Sequence, residues 1–302
     1  MTSLLRQLAL VSESKHIHAA DVQKVSAALQ KQASRDLAPI WDITATVDSF
    51  EKLEDVPVGY WPILVMDDIN VPDASGVHED KNGQPFALVT ASATLDEWSL
   101  TASHEALEML VDPSGNRLVA GDSPKSDQGR VSFLVEVCDP SEASNFAYSS
   151  NGVLVSDFYT PNYFDPVKAP GVRYSFTGAI TEPRTVLKGG YLSWQDPVSG
   201  HWWQEIWFDA EAEFRDLGVL DAKAEGNMRA AIDRMTFDQT LKAISAGRHT
   251  ARVVGVSAAL NHDSTAARAA VWREQIAEIL GKNEQYAAPK ASKKSRRTQS
   301  VY

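Results

Sequence analysis

Residues 99–113 read SLTASHEALEMLVDP. Leu100, Ala106, Leu107, Leu110 and Val111 supply apolar contacts at helical spacing, and Pro113 marks a stop, so the stretch predicts a helix. Upstream, Thr94 and Glu97 have the spacing of a capping box, which extends the expected helix over residues 93–113. On such a helix His104 and Glu108 lie four residues apart and only about 40° apart around the axis. An imidazole nitrogen and a carboxylate oxygen on successive turns can then reach one zinc ion at about 2.0–2.2 Å. Glu105 stands beside them, placed to take a proton from a water held there.

Around this helix the chain alternates between strand and helix without a regular period. HAADVQKVSAALQKQASRDLAPIW (residues 18–41) reads as an opening helix, capped by Asp21 and ended by Pro39. IWDITATV (40–47), WPILVMDDI (61–69) and FALVTAS (86–92) read as strands, and Asn82-Gly83 marks a turn before the third. RVSFLVEVCDPSE (130–142) fits either a strand or a short buried helix. NGVLVSDFYTP begins with a second Asn-Gly turn and continues as a strand, and KGGYLSWQDPVSGHWWQEIWFD (188–209) reads as a hairpin turning at DPVSG. Beyond about residue 215 the pattern becomes helical, over 226–245 and again over 264–280. The expected class is α+β with a mixed sheet, divided into a body at 1–215, a helical appendage at 216–285 and a basic disordered tail at 286–302. No glycine-rich phosphate loop is present, which argues against a nucleotide enzyme.

The chain has 302 residues, 43% of them hydrophobic, enough for a substantial core. Its net charge of −11 argues against non-specific nucleic-acid binding by the body. The tail is the exception. Lys290, Lys293, Lys294, Arg296 and Arg297 follow Ala287 without an acid, a charge suited to weak contact with an anionic partner. A single cysteine, Cys138, excludes an internal disulfide and points to a reducing compartment. No apolar stretch approaches the roughly 20 residues needed to span a bilayer. The N-terminal MTSLLRQLALVSESKHIH does not read as a signal peptide, so the expected location is cytoplasmic.

A zinc site needs a third protein ligand. Glu136, in the apolar run LVEVCDP, is the first candidate, because a carboxylate there needs a partner. Asp112, two turns beyond His104 on the same face, is the rival, and Asp139 is placed to orient His104 through its second ring nitrogen.

With HEALE at residues 104–108, the chain resembles the zincin metallopeptidases, particularly those with glutamate as a ligand. It is more closely similar to an uncharacterised bacterial family carrying SHEALEMLVDP, EVCDP and VSDFYTPNYF, a likeness that covers most of residues 18–215. The resemblance implies metal-dependent peptide hydrolysis, with zinc or another divalent ion on His104, Glu108 and Glu136 and with Glu105 as general base. It also implies an oxyanion donor, for which Tyr159 and Tyr163 are the candidates, and an edge strand to hold an extended peptide substrate, a role for which PFALVTAS is placed. Glu108 departs from the usual second histidine and makes the site harder and less selective for zinc. The alternative function is a non-enzymatic structural or assembly protein that keeps the fold, such as a phage or particle component.

Other features read more plainly. Cys138 is expected to be inert packing rather than a nucleophile paired with His104. His78 is a candidate ligand from a loop but is expected at the surface, and Asp157 is a candidate site residue but is expected in a turn or cap. The aromatic strip of Trp202, Trp203 and Trp207 is expected to be core covered on both faces, not a stacking platform.

Overall fold

Parallel strands demand crossover connections, and antiparallel ones need only turns. The chain uses both, one after the other. The computed structural model describes residues 4–71, 74–235 and 273–274. Its first half forms a five-stranded sheet of β1 (Arg6–Ser12), β2 (Ala45–Phe50), β3 (Trp61–Met66), β4 (Gly76–Lys81) and β5 (Gln84–Thr90) in the order β2-β1-β3-β5-β4. Four strands are parallel, and β4 pairs antiparallel with β5 at one edge. The second half forms an antiparallel sheet of β6 (Leu118–Asp122), β7 (Arg130–Leu134), β10 (Tyr191–Gln195), β11 (Trp202–Ile206) and β12 (Glu213–Gly218), ordered β12-β11-β10-β7-β6. Between them lies the hairpin of β8 (Tyr148–Ser150) and β9 (Val153–Val155). The fold is mixed α+β.

The expected opening helix is preceded by β1, which lies between β2 and β3 and is buried on both faces. Leu8 and Leu10 face the main core, whereas Ala9 and Val11 pack with Leu53 and Val56 on the other side. Helix α1 (Ala19–Lys31) continues through a π-helical stretch, Gln32–Leu37, into α2 (Ala38–Trp41). Pro39 therefore does not end it: the proline sits in the first turn after the π stretch, where its missing N–H is not needed. The end comes at Asp42, in the left-handed region at φ 53°. Ile40 and Trp41 thus close a helix instead of opening β2.

Both Asn-Gly pairs make the tight turns expected of them, with positive φ at Asn82, Gly83, Asn151 and Gly152. The long helix α3 spans Leu95–Val111 and packs on β5 and on β9. RVSFLVEVCDPSE resolves into strand β7, an irregular stretch over 135–138 that bends at 137–138, and a single 3-10 turn at Asp139–Ser141.

The boundary expected at 215/216 falls inside β12, and the described residues beyond it, up to 235, pack on the body. A helical segment at 228–235 packs Ile232 and Met228 against Leu134, Trp202 and Leu217. The second expected helix lies almost wholly outside the described residues, and the basic tail lies wholly outside them. On β11, Trp202 is buried while Trp203 is half-buried beneath the Lys125 ammonium, 4.5 Å from its ring centroid, so the aromatic strip is core on one face only. Among the described residues, no helix is long and apolar enough to cross a membrane.

Candidate metal centre

The rotation of α3 is fixed from behind. Ser99 donates its hydroxyl to the Leu154 carbonyl at 2.8 Å, and Ser103 donates to the side chain of Gln32 at 2.7 Å while accepting from the Ser156 N–H at 2.9 Å. Thr94 caps the first turn by accepting from the Glu97 N–H. With Trp98, Ala102, Ala106 and Met109 buried in the core, His104, Glu105 and Glu108 meet three other elements. These are β4, the 135–139 stretch after β7, and the 228–235 helix.

Glu108 is the hub. Its Oε1 accepts the Cys138 backbone N–H at 3.0 Å, which fixes the plane of the carboxylate. Its Oε2 lies 3.5 Å from His104 Nε2, 3.7 Å from His78 Nδ1 and 2.7 Å from Arg229 Nη1. Asp139 brings Oδ1 to 3.1 Å from His104 Nε2, yet neither of its oxygens makes a hydrogen bond. His104, Glu108 and Asp139 thus offer three atoms within 4.8 Å of one another, and His78, Glu105 and Glu108 form a second such group.

This geometry rearranges the expected ligand set. Asp139, expected behind His104, stands among the ligand atoms in front of it. Glu136 belongs to neither three-residue group; its Oε1 accepts from Arg229 Nη1 at 3.0 Å and its Oε2 makes no hydrogen bond. Asp112 is a C-terminal cap, its carboxylate accepting from the backbone N–H groups of Ser114 and Arg117. Tyr163 donates its hydroxyl to the Thr185 carbonyl at 3.2 Å and stacks on Tyr159, so that hydroxyl is committed away from the cluster. Tyr159 OH makes no hydrogen bond and is the freer of the two candidate donors.

The sequence reading set one residue aside and missed another. His78 is buried on β4, not exposed. Arg229 comes from the region read as a separate appendage. The Asn82-Gly83 turn that follows GVHEDK was the one signal for β4, and a strand there puts His78 and Val77 on opposite faces. The expected edge strand β5 is interior, and the edge beside α3 is β4. Gly76 opens β4 where a Cβ would come within 2.7 Å of Glu105 Oε1, so a bare backbone is needed there.

Four buried carboxylates, those of Glu105, Glu108, Glu136 and Asp139, and the half-buried carboxylate of Asp233 meet one guanidinium and two imidazoles. The imbalance shows in their protonation. Burial pushes Glu136 well above the usual carboxylate range, with Asp139 and Glu108 adding to the effect against the pull of Arg229. Burial and the charge of Glu108 raise Asp139 to about 7. Burial also acts to raise Glu108, but His104 and Arg229 override it and hold Glu108 well below the usual range. For His104, burial works downward, and the charge of Glu108 and the contact with Asp139 lift it well above the ordinary imidazole value. Burial pushes the Cys138 thiol far up, and its sulfur faces the His104 carbonyl, 3.8 Å away, so it is packing and not a nucleophile.

The donor set fits a divalent cation. It joins one imidazole to two carboxylates, carries orphaned buried oxygens, and has negative charge in excess. His104 has 12% of its side chain exposed, against 4% or less for Glu105, Glu108, Glu136, Asp139, His78 and Arg229, so solvent approaches from its side. Comparison with family models, with curated proteins and with solved structures finds no match to this chain.

Proposed function

We propose that this chain is a metal-dependent peptide hydrolase of zincin type, with its ion held by His104, Glu108 and Asp139. The observation that carries the reading is the convergence of His104 Nε2, Glu108 Oε2 and Asp139 Oδ1, with both Asp139 oxygens lacking a hydrogen bond. A divalent cation there, zinc or a harder ion, supplies Lewis acidity for the scissile carbonyl and lowers the pKa of a water. Glu105 accepts the proton of the attacking water and passes it to the leaving amine; its Oε2 makes no hydrogen bond. Tyr159, with an uncommitted hydroxyl, steadies the oxyanion. An extended peptide adds to the free edge of β4, the strand that also carries His78.

The resemblance to zincins supports this reading, as does an antiparallel edge strand beside the motif helix. A second reading, a structural or assembly protein without turnover, is favoured by one observation: Arg229 already neutralises Glu108 and Glu136. Incubation of the metal-loaded protein with a mixed peptide library separates the two. Cleavage that Glu105→Gln abolishes while the ion stays bound supports the hydrolase. An ion-bound protein that cleaves nothing supports the structural reading.

A further inference from the structure

The 3-10 turn that carries Asp139 carries a second acid. Such a helix has three residues per turn, so side chains at i and i+3 eclipse. Glu142 follows the Asp139–Ser141 turn with its backbone still helical, at φ −68° and ψ −23°, and its side chain therefore stands in line with that of Asp139. Residues 187–190 back the turn: the Leu187 N–H donates to the Pro140 carbonyl at 2.8 Å, and Gly190 passes where a Cβ would collide with the Asp139 carbonyl. The acidic edge is left to the side of His104, whose Nε2 lies 3.1 Å from Asp139 Oδ1. Glu142 is half-buried and makes no hydrogen bond or ion pair among the described residues. It belongs to neither group of convergent ligand atoms, so holding an ion does not use it. Beside it, both oxygens of buried Asp139 also lack a hydrogen bond.

We propose that Glu142 selects the substrate, its carboxylate receiving an ammonium or guanidinium group of the peptide next to the scissile bond. The inference rests on the hydrolase reading for where the peptide lies. His104 is the most exposed member of the centre, so a substrate reaches the ion past the turn that carries Glu142. A partly desolvated carboxylate without a partner is costly, and a charged donor offsets that cost. Burial raises the Glu142 carboxyl to about 8, with Asp139 adding to the effect and His104 opposing it. A bound cation acts in the same direction as His104 and draws the group into its charged form. The net charge of −11 steers cations toward the chain, and Glu142 fixes where one docks. Two groups of a peptide supply this chemistry, a Lys or Arg side chain and the free amino terminus. In the first case the chain cuts beside basic residues; in the second it trims peptides from the amino end.

The test is equilibrium binding of synthetic hexapeptide pools to the Glu105→Gln chain in Zn2+, which holds substrate without cutting it. The pools are randomised among uncharged residues and differ in two places: lysine or norleucine at a central position, and a free or acetylated amino terminus. At least one cationic pool is expected to bind about tenfold tighter than the acetylated norleucine pool, the worth of a charged hydrogen bond. An advantage that survives acetylation assigns the cation to the side chain, and one lost on acetylation assigns it to the amino terminus. Glu142→Gln in the same background removes the advantage. Glu51→Gln, at an exposed acid just after the edge strand β2, removes the same charge and keeps the advantage. No advantage for any cationic pool, or an advantage that Glu142→Gln leaves intact, overturns the proposal. Should Glu142→Gln not fold, Glu142→Asp, which withdraws the carboxylate by one methylene, is read instead, and an undiminished advantage overturns the proposal. Failure of the hydrolase reading shows separately: wild type then cleaves none of the four pools, while their relative affinities still decide the role of Glu142.

Discussion

Arg229→Ala, without metal, removes the guanidinium that Glu108 and Glu136 share at 2.7 and 3.0 Å, with Glu105 4.0 Å and Asp233 3.4 Å from the same group. All four carboxylates are buried or nearly so, so their charge cannot be handed back to water. Breaking a buried pair by deleting one partner costs about 3–5 kcal/mol, because the orphaned charge must stay desolvated or take up a proton. For a domain of this size that corresponds to a fall in Tm of roughly 6–20 °C. Thermal unfolding in chelator, followed by near-ultraviolet circular dichroism, measures it. Arg229→Lys should lose much less. The reasoning is refuted if Arg229→Ala melts with wild type in chelator.

Three further outcomes follow from particular contacts. Gly76→Ala places a methyl group 2.7 Å from Glu105 Oε1 and from Thr101 Cγ2; peptide cleavage should fall with the bound ion retained, alongside an overpacking cost of about 1–3 kcal/mol by chemical denaturation. Burial raises Glu205 to about 7, so the unfolded chain ionises this group first as pH rises. Its favourable contribution is complete below about 4.5 and is lost on passing 7; Glu205→Gln should therefore be stabilising at pH 8 by up to about 3 kcal/mol and neutral at pH 4, as read from urea midpoints. Thr94→Ala removes the cap of α3 and should cost about 1 kcal/mol in the same assay, with no change in ion content.

The helix at 95–111 was legible because its signals agree: a cap, a 3.6-residue period and a closing proline. The turns at 82–83 and 151–152, and the strands that follow them, were legible because Asn-Gly admits little else. β1 was missed because a strand buried on both faces shows a short apolar run without alternation. β4 was missed because GVHEDK is polar, and its His78 is drawn in only by the cluster it joins. Within the site, helical spacing was sufficient to pair His104 with Glu108. It could not choose between Glu136 and Asp139, three residues apart, because the 3-10 turn at Asp139–Ser141 decides which of them turns toward His104. Arg229 lies 121 residues from Glu108 in an ordinary amphipathic stretch, and nothing local marks it as the cation at the centre.

The central claim is that His104, Glu108 and Asp139 hold a divalent ion. Elemental analysis of protein purified without a histidine tag and exchanged into metal-free buffer after loading tests it most directly, with His104→Ala and Asp139→Asn alongside. The account expects about one ion per chain in wild type, lost in His104→Ala and sharply reduced in Asp139→Asn. Wild type without a stoichiometric ion, or an ion content indifferent to His104→Ala, would contradict it.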